Sequence, residues 1–288
     1  MDSWKSRWGA KQWAAYFEHQ ALPVMRRSKL LIAALEAAEG ETLSPKNLSD
    51  IVLQDPLLCL CLLREAERRK SHRLDRETTT ALAAILQLGV DEFRKLLEDS
   101  PEVDESNTGL LRVETRASLA AQIALVWSTG RGDLNPEEVA VASLLGGTGD
   151  LLLWVYAAEI PEKAESELRS GRATRSAQAQ IQACGFTFKE LTLQCAERWK
   201  LPGLVIQLLR GAESARAQMT RTCSNAARHV LDDSETSVVA LAADLVDAAQ
   251  LVPNASVEWL ADALVMLPEG RRSQAAEMAL AQLAQLKE

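Results

Sequence analysis

Residues 143–154, SLLGGTGDLLLW, set a Gly-Gly-Thr-Gly-Asp cluster inside an apolar run. Three kinds of site could use such a cluster: a loop cradling phosphate, a tight corner between two helices, or the remains of a site that once held something else. A phosphate loop needs a strand before it, converging backbone N–H groups, and usually a Lys or hydroxyl beyond it. Here the preceding residues pattern as helix, no Lys follows, and the carboxylate of Asp150 would repel a phosphate. A hydrolytic metal centre on packed helices needs adjacent His and Asp ligands. The chain has three histidines, His19, His72 and His229, far apart and none followed by Asp. Carboxylates alone, such as Asp150, Glu137, Glu138 and Glu190, would suit Mg or Mn better than Zn or Fe. A metal-dependent phosphohydrolase with such an unusual site stays open as the alternative. So does a regulatory protein whose glycine-lined hollow at Gly146, Gly147 and Gly149 admits a nucleotide or other small ligand.

Nucleophiles fare no better. Cys59, Cys61, Cys184, Cys195 and Cys223 are odd in number and scattered through apolar helical patterns, so they read as buried free thiols rather than a disulfide framework. Cys59 and Cys61 point to nearly opposite helix faces and cannot close on one metal. His19 and His72 lie in charged, solvent-facing surroundings, and His229 reads as a helix-end or surface residue six positions after Cys223. No Gly-x-Ser-x-Gly elbow is present, and without a histidine no Ser or Cys has its usual general base. The expectation is that the protein has no catalytic residue, metal ligand or cofactor.

Two features could bind a partner. Residues 64–76, REAERRKSHRLDR, hold six basic and three acidic side chains, a net +3. This segment reads as a solvated helix end and loop, with Arg64, Arg68 and Arg69 as docking candidates. At the N-terminus Trp4, Trp8, Trp13, Tyr16 and Phe17 crowd a stretch with Lys5, Arg7 and Lys11. Docking of these rings onto the protein body is the leading reading, with Trp4 and Trp8 as contacts for a partner or membrane surface otherwise.

The scaffold must be almost wholly helical, because Ala and Leu dominate, Tyr and Phe number two and four, and alternating runs are nearly absent. Ser44-Pro45, Asp55-Pro56 and Asn135-Pro136 place a side-chain acceptor at an N-cap and a proline at the first helical position. Further starts read at Asp91, Thr187 and Asn254. Over 109–128, Leu110, Val113, Ala117, Ala120, Ala124 and Trp127 form one apolar stripe. A second apolar helix begins at Pro136 and is interrupted at Gly146–Gly149, where each glycine costs about 1 kcal/mol relative to alanine. The polar stretch 99–109, DSPEVDESNTG, marks an internal boundary. The expected organisation is a Trp-rich N-terminal helix (1–20), an N-terminal lobe (21–98), a second lobe (109–215), and a helical extension (216–288) packed on that lobe.

Composition bounds the partners. The 288 residues are 47% apolar and 25% charged, with a net charge of −8, so a phosphate backbone repels the chain and no nucleic acid is expected. No uncharged apolar run of about 18 residues offers a membrane span. The charged first twenty residues lack an apolar leader core, which points to the cytoplasm.

Four segments in order resemble the HDOD domain family, HD-related output domains of bacterial signalling proteins and a non-catalytic branch of the HD phosphohydrolases. ALPVMRRSKLLIAAL (21–35) resembles its opening. LSDIVLQDPLLCLCLLREAE (48–67) is similar to its Asp-Pro-x-Leu helix start, on Asp55, Pro56, Leu58, Leu62 and Leu63. ALAAILQLGVDEFRKLL (81–97) resembles its Ala-Ile-x-x-Leu-Gly helix, on Ala84, Ile85, Leu88 and Gly89. CGFTFKELTLQCAERWKLPGLV (184–205) is similar to its Gly-Phe stretch ending in Trp-x-Leu-Pro, on Gly185, Phe186, Trp199, Leu201 and Pro202. The resemblance places Gly146 and Gly147 where the family's relatives carry His-Asp, with Gly149 on the glycine that closes that motif. Phe188 stands where a histidine is common, Arg210-Gly211 near a usual His pair, and Glu67-Arg68 where Asn-Ser is typical. It implies an all-α, two-lobed bundle with a degenerate HD site, acting by protein–protein interaction in signal transduction. Its expected partner is another signalling protein in trans, with a homodimer as the other possibility.

Overall fold

The computed structural model describes residues 7–39, 43–70, 77–211 and 213–286. Trp4 and His72 lie outside the described residues. In chain order the helices are α1 (Ala10–Glu18), α2 (Arg26–Glu39), α3 (Pro45–Val52), α4 (Pro56–Arg68), α5 (Ala81–Leu88), α6 (Val90–Asp99), α7 (Thr108–Arg131) and α8 (Pro136–Leu145). There follow α9 (Thr148–Tyr156), α10 (Glu159–Arg169), α11 (Ser176–Cys184), α12 (Phe188–Arg198), α13 (Gly203–Arg210), α14 (Ala215–Val230), α15 (Glu235–Leu251), α16 (Val257–Asp262) and α17 (Glu269–Gln285). The all-α expectation holds: among the described residues the one β pairing is an isolated parallel bridge between Val24 and Glu102.

The chain forms two compact units, each discontinuous in sequence. The first comprises residues 1–115 and 145–206. Its centre is α4, which starts where Asp55 caps the Leu57 and Leu58 N–H groups and Pro56 supplies a preset φ. Leu57, Leu58, Leu62 and Leu63 are fully buried, each worth about 1.5–3 kcal/mol of burial. A further cluster joins Met25, Leu57, Val103, Leu110, Val113, Leu151 and Trp154. Gly109 makes room for it, since a Cβ there would lie 2.3 Å from the Trp154 ring. The acidic stretch 99–109, expected as a boundary, lies inside this unit. Val24 N–H donates to the Pro101 carbonyl at 2.8 Å, and Val103 N–H donates to the Val24 carbonyl at 3.1 Å. Those bonds pin a segment whose composition reads as a linker.

The N-terminal aromatics dock onto this unit. Trp13 and Phe17 are buried, and α1 packs against α12. Trp8 meets Trp13 edge-on at 5.1 Å between ring centroids and Tyr16 at 5.6 Å.

The second unit comprises residues 116–144 and 207–288. Trp127 is fully buried and its indole N–H donates to the Leu260 carbonyl at 3.0 Å. Gly130 lets the Trp259 ring lie directly on α7, because a Cβ there would meet the ring at 2.4 Å. Helices α14, α15 and α17 pack in series, with α16 against α15 and α17. The start expected at Asn254 falls at Val257 instead, where Ser256 Oγ accepts from Trp259 N–H at 3.2 Å.

Pro136–Tyr156 is long and apolar enough by composition to cross a membrane, despite Glu137, Glu138 and Asp150. In the structure this run is broken into α8 and α9, and 72% of its most apolar window is buried.

Candidate functional site

The glycine cluster is a corner between helices. Helix α8 ends at Leu145, Gly146 is exposed, and α9 begins at Thr148, whose hydroxyl donates to the Leu145 carbonyl at 2.8 Å. The first turn of α9 then lies on α12. Gly149 N–H donates to Thr192 Oγ1 at 2.9 Å, and that hydroxyl donates to the Phe188 carbonyl at 3.0 Å. A Cβ at Gly149 would stand 2.5 Å from the Phe188 carbonyl oxygen and 2.9 Å from Thr192 N, both backbone atoms that cannot yield cheaply. The space at Gly149 is therefore filled by α12 and belongs to no hollow. Gly147 differs: its φ is −98°, and a Cβ would make an ordinary 3.7 Å contact with Val113. Its backbone carbonyl accepts from Leu151 N–H at 3.0 Å, while the Gly149 N–H is taken by Thr192.

Position 147 looks onto α7 beside Val113, and the next residue on that helix is the buried Glu114. Glu114 is fully buried, its Oε1 accepts from Arg27 Nη2, and its Oε2 is buried without a partner. Burial pushes the carboxyl up to about 7, against the pull of the Arg27 guanidinium. Arg27 also donates to the Gln54 carbonyl at 3.0 Å. The neighbouring Asp55 is better compensated: Oδ1 accepts from Leu57 and Leu58 N–H at 2.9 and 3.0 Å, and Oδ2 accepts from Met25 N–H at 3.0 Å and Ser28 Oγ at 2.8 Å. Burial raises this carboxyl too, with those donors opposing. Sequence reading found Asp55 and missed Arg27 and Glu114, which are 87 residues apart.

The other family-motif residues lie at helix ends or are buried. Gly89, at φ +87°, ends α5 after Leu88 and starts α6. Gly185 adopts the left-handed conformation after α11, at φ +83°, and places Phe186 in the core. Trp199 is buried at the end of α12, and Pro202 is buried ahead of α13. The Gly203 and Leu204 N–H groups that follow donate to the Glu77 carboxylate, both at 3.2 Å.

The docking candidates hold internal partners. Arg64 lies over the Trp199 ring at 5.3 Å and donates to the Glu18 carbonyl at 3.0 Å. Arg68 grips Glu65 with two bonds, and Arg69 pairs with Glu65 and with Glu92. The five cysteines are free thiols, and burial pushes Cys61 and Cys195 up to about 12, far from a reactive thiolate. His229, expected at a helix end or the surface, lies in the last turn of α14, with Nδ1 2.6 Å from the buried Asp244 carboxylate on α15 and Arg228 at 3.2 Å from Nε2. Its partner sits one helix away in sequence, where spacing within α14 carries no signal.

Among the described residues no three His, Cys, Asp or Glu side chains gather as a metal would require. The candidate carboxylates are divided: Glu137 and Glu138 fall in the second unit, Asp150 and Glu190 in the first. Glu138 pairs with Arg216, and Glu190 is exposed on the first turn of α12.

A search of curated proteins found no match. Among solved structures, the chain is similar to a virulence factor from Campylobacter jejuni subsp. jejuni at 16% identity, with a TM-score of 0.69, covering 92% of this chain and 98% of that one. It is also similar to the MmoQ response regulator from Methylococcus capsulatus at 19% identity, with a TM-score of 0.58, covering 81% and 98%. These likenesses establish the helical fold. The HDOD domain matches residues 27–215, well over half of the sequence and spanning Asp55, the glycine corner and the Trp-Lys-Leu-Pro stretch; the chain belongs to the HDOD domain family.

Proposed function

We propose that this protein is a non-catalytic signal-transduction module that acts by binding another signalling protein in trans. The HDOD domain is associated with signalling and related to the HD phosphohydrolases. One observation carries the reading. By the motif resemblance Gly146 and Gly147 stand where those relatives keep His-Asp, and the adjoining Gly149 is clamped to Thr192 and the α12 backbone. Metal-assisted hydrolysis needs several side chains converging on one ion and an activated water. Neither glycine has a side-chain ligand to offer, and the buried Glu114 carboxylate already receives Arg27. The response regulator among the similar structures supports a signalling context. Free thiols, four of the five buried and Cys184 half-buried, suit a reducing compartment, and we place the protein in the cytoplasm.

Metal content and hydrolysis test this directly. Protein purified without chelators and analysed by inductively coupled plasma mass spectrometry is expected to carry less than stoichiometric Fe, Mn, Zn or Mg. It is also expected to leave phosphomonoesters and cyclic dinucleotides intact when Mg or Mn is added. A stoichiometric metal with measurable turnover overturns the proposal in favour of a carboxylate-based phosphohydrolase.

A further inference from the structure

We propose that Arg27 and Glu114 form a proton-operated latch: with Glu114 ionised the Arg27 guanidinium is held against α7, and with Glu114 neutral it is released to solvent. The latch is independent of the partner-binding reading and rests on the geometry of the pair. Glu114 lies on α7 with its side chain 1% exposed, while that of Arg27, on α2, is 43% exposed. One carboxylate oxygen receives a single guanidinium N–H, and the other is buried with no partner. A buried carboxylate with so few donors is poorly compensated for its lost hydration. Asp55, equally buried, receives four donors from two elements.

The charges facing Glu114 sharpen the contrast. Arg27 approaches from α2, Asp55 from the cap of α4, and Glu105 from the segment before α7; the two carboxylates oppose ionisation and the guanidinium favours it. With burial the largest influence, the group titrates near neutrality and both states are populated in ordinary buffers.

The consequences for the two partners are unequal. Neutral Glu114 stays in the core, where it no longer supplies the charge that strengthens the guanidinium bond. Arg27 has water beside it and the Gln54 carbonyl as its second acceptor, so it can leave α7 without being buried unpaired. The backbone of α2 is anchored separately, because Asp55 holds Met25 N–H and Ser28 Oγ. Protonation therefore moves a side chain and leaves the helix in place. The result is a guanidinium next to the exposed Arg26 that becomes available to an anionic group as pH falls below neutral.

NMR of the full chain tests the latch, following glutamate side-chain carboxyl carbons and the Arg27 Nε–Hε signal from pH 5.5 to 8.5. The expected result is one glutamate with a midpoint near 7 and an Arg27 signal that shifts with the same midpoint. In Glu114→Gln the Arg27 signal should sit at its acid-limit position at every pH. In Arg27→Gln, which removes only the exposed partner, the glutamate midpoint should rise by about 1 unit or more. A Glu114 midpoint in the ordinary carboxylate range overturns the latch. So does an Arg27 signal that ignores the titration, or an Arg27→Gln midpoint equal to wild type.

Discussion

Gly147 and Gly149 are two residues apart and answer to different constraints. At Gly149 the α12 backbone occupies the place of a Cβ, so Gly149→Ala must push α9 off α12. We expect it to destabilise the protein by about 1–3 kcal/mol. Gly147 has an ordinary φ and open space against Val113, so Gly147→Ala should change stability by less than about 0.5 kcal/mol. Urea unfolding of both variants checks the pair. A Gly149→Ala protein as stable as wild type would show that the corner is slack enough to accept side chains. Glu114 supplies a second prediction at this scale. Its carboxyl is about 7 in the folded chain and in the usual range when unfolded, so the native state holds its proton more tightly. Stability from this group is present below the unfolded value and lost as pH rises through about 7. Glu114→Gln cannot ionise and escapes that loss, so its stability relative to wild type should improve by about 2–3 kcal/mol between pH 5 and pH 8. Denaturant midpoints at the two pH values measure it, and an unchanged difference would remove Glu114 as the cause.

At the scale of elements, the start of α4 shows what a sequence can and cannot reveal. Asp-Pro before a leucine run announces a capped helix, because the cap, the proline and the N–H groups it serves are neighbours along the chain. The same carboxylate also receives Met25 N–H and Ser28 Oγ, 30 and 27 residues away, and no local pattern encodes those bonds. Asp55→Ala therefore loses more than a cap. It strips four donors in a dry site, and the expected cost is about 3–5 kcal/mol, above the usual range for a helix cap alone. A loss of only about 1 kcal/mol in chemical denaturation would mean that α2 does not depend on Asp55. The Gly149–Thr192 bond follows the same rule: the glycine corner is legible and its clamp is not, since Thr192 lies 43 residues on. His229 with Asp244 and Arg27 with Glu114 were missed for this reason, as was the pinning of 99–109 to Val24, where a linker-like composition conceals backbone bonds.

For the whole molecule, helical class and family were legible because composition, caps and four ordered motifs are local signals, whereas the division into units depends on which distant segments share a core. The HDOD match ends at residue 215, which invites the view that the remaining helices are an appendage. The second unit contradicts that view, since it unites 116–144 with 207–288. Trp127 on α7 is fully buried and its indole N–H is satisfied by Leu260; Trp259 lies on Gly130; Arg216 on α14 binds Glu138 and the Asn135 carbonyl. A fragment ending at 215 would expose Trp127, leave its N–H without the Leu260 carbonyl and remove the guanidinium that meets Glu138. Stripping a large aromatic of its cover costs about 3 kcal/mol or more, a sizeable part of the 5–15 kcal/mol that holds a typical domain. The fragment 1–215 is therefore expected to unfold without a cooperative transition, or to aggregate, while the full chain unfolds cooperatively. Calorimetry on both decides the matter. A sharp transition for the fragment at the full chain's midpoint would show that the HDOD segment is self-sufficient and that the C-terminal helices are an appendage to it.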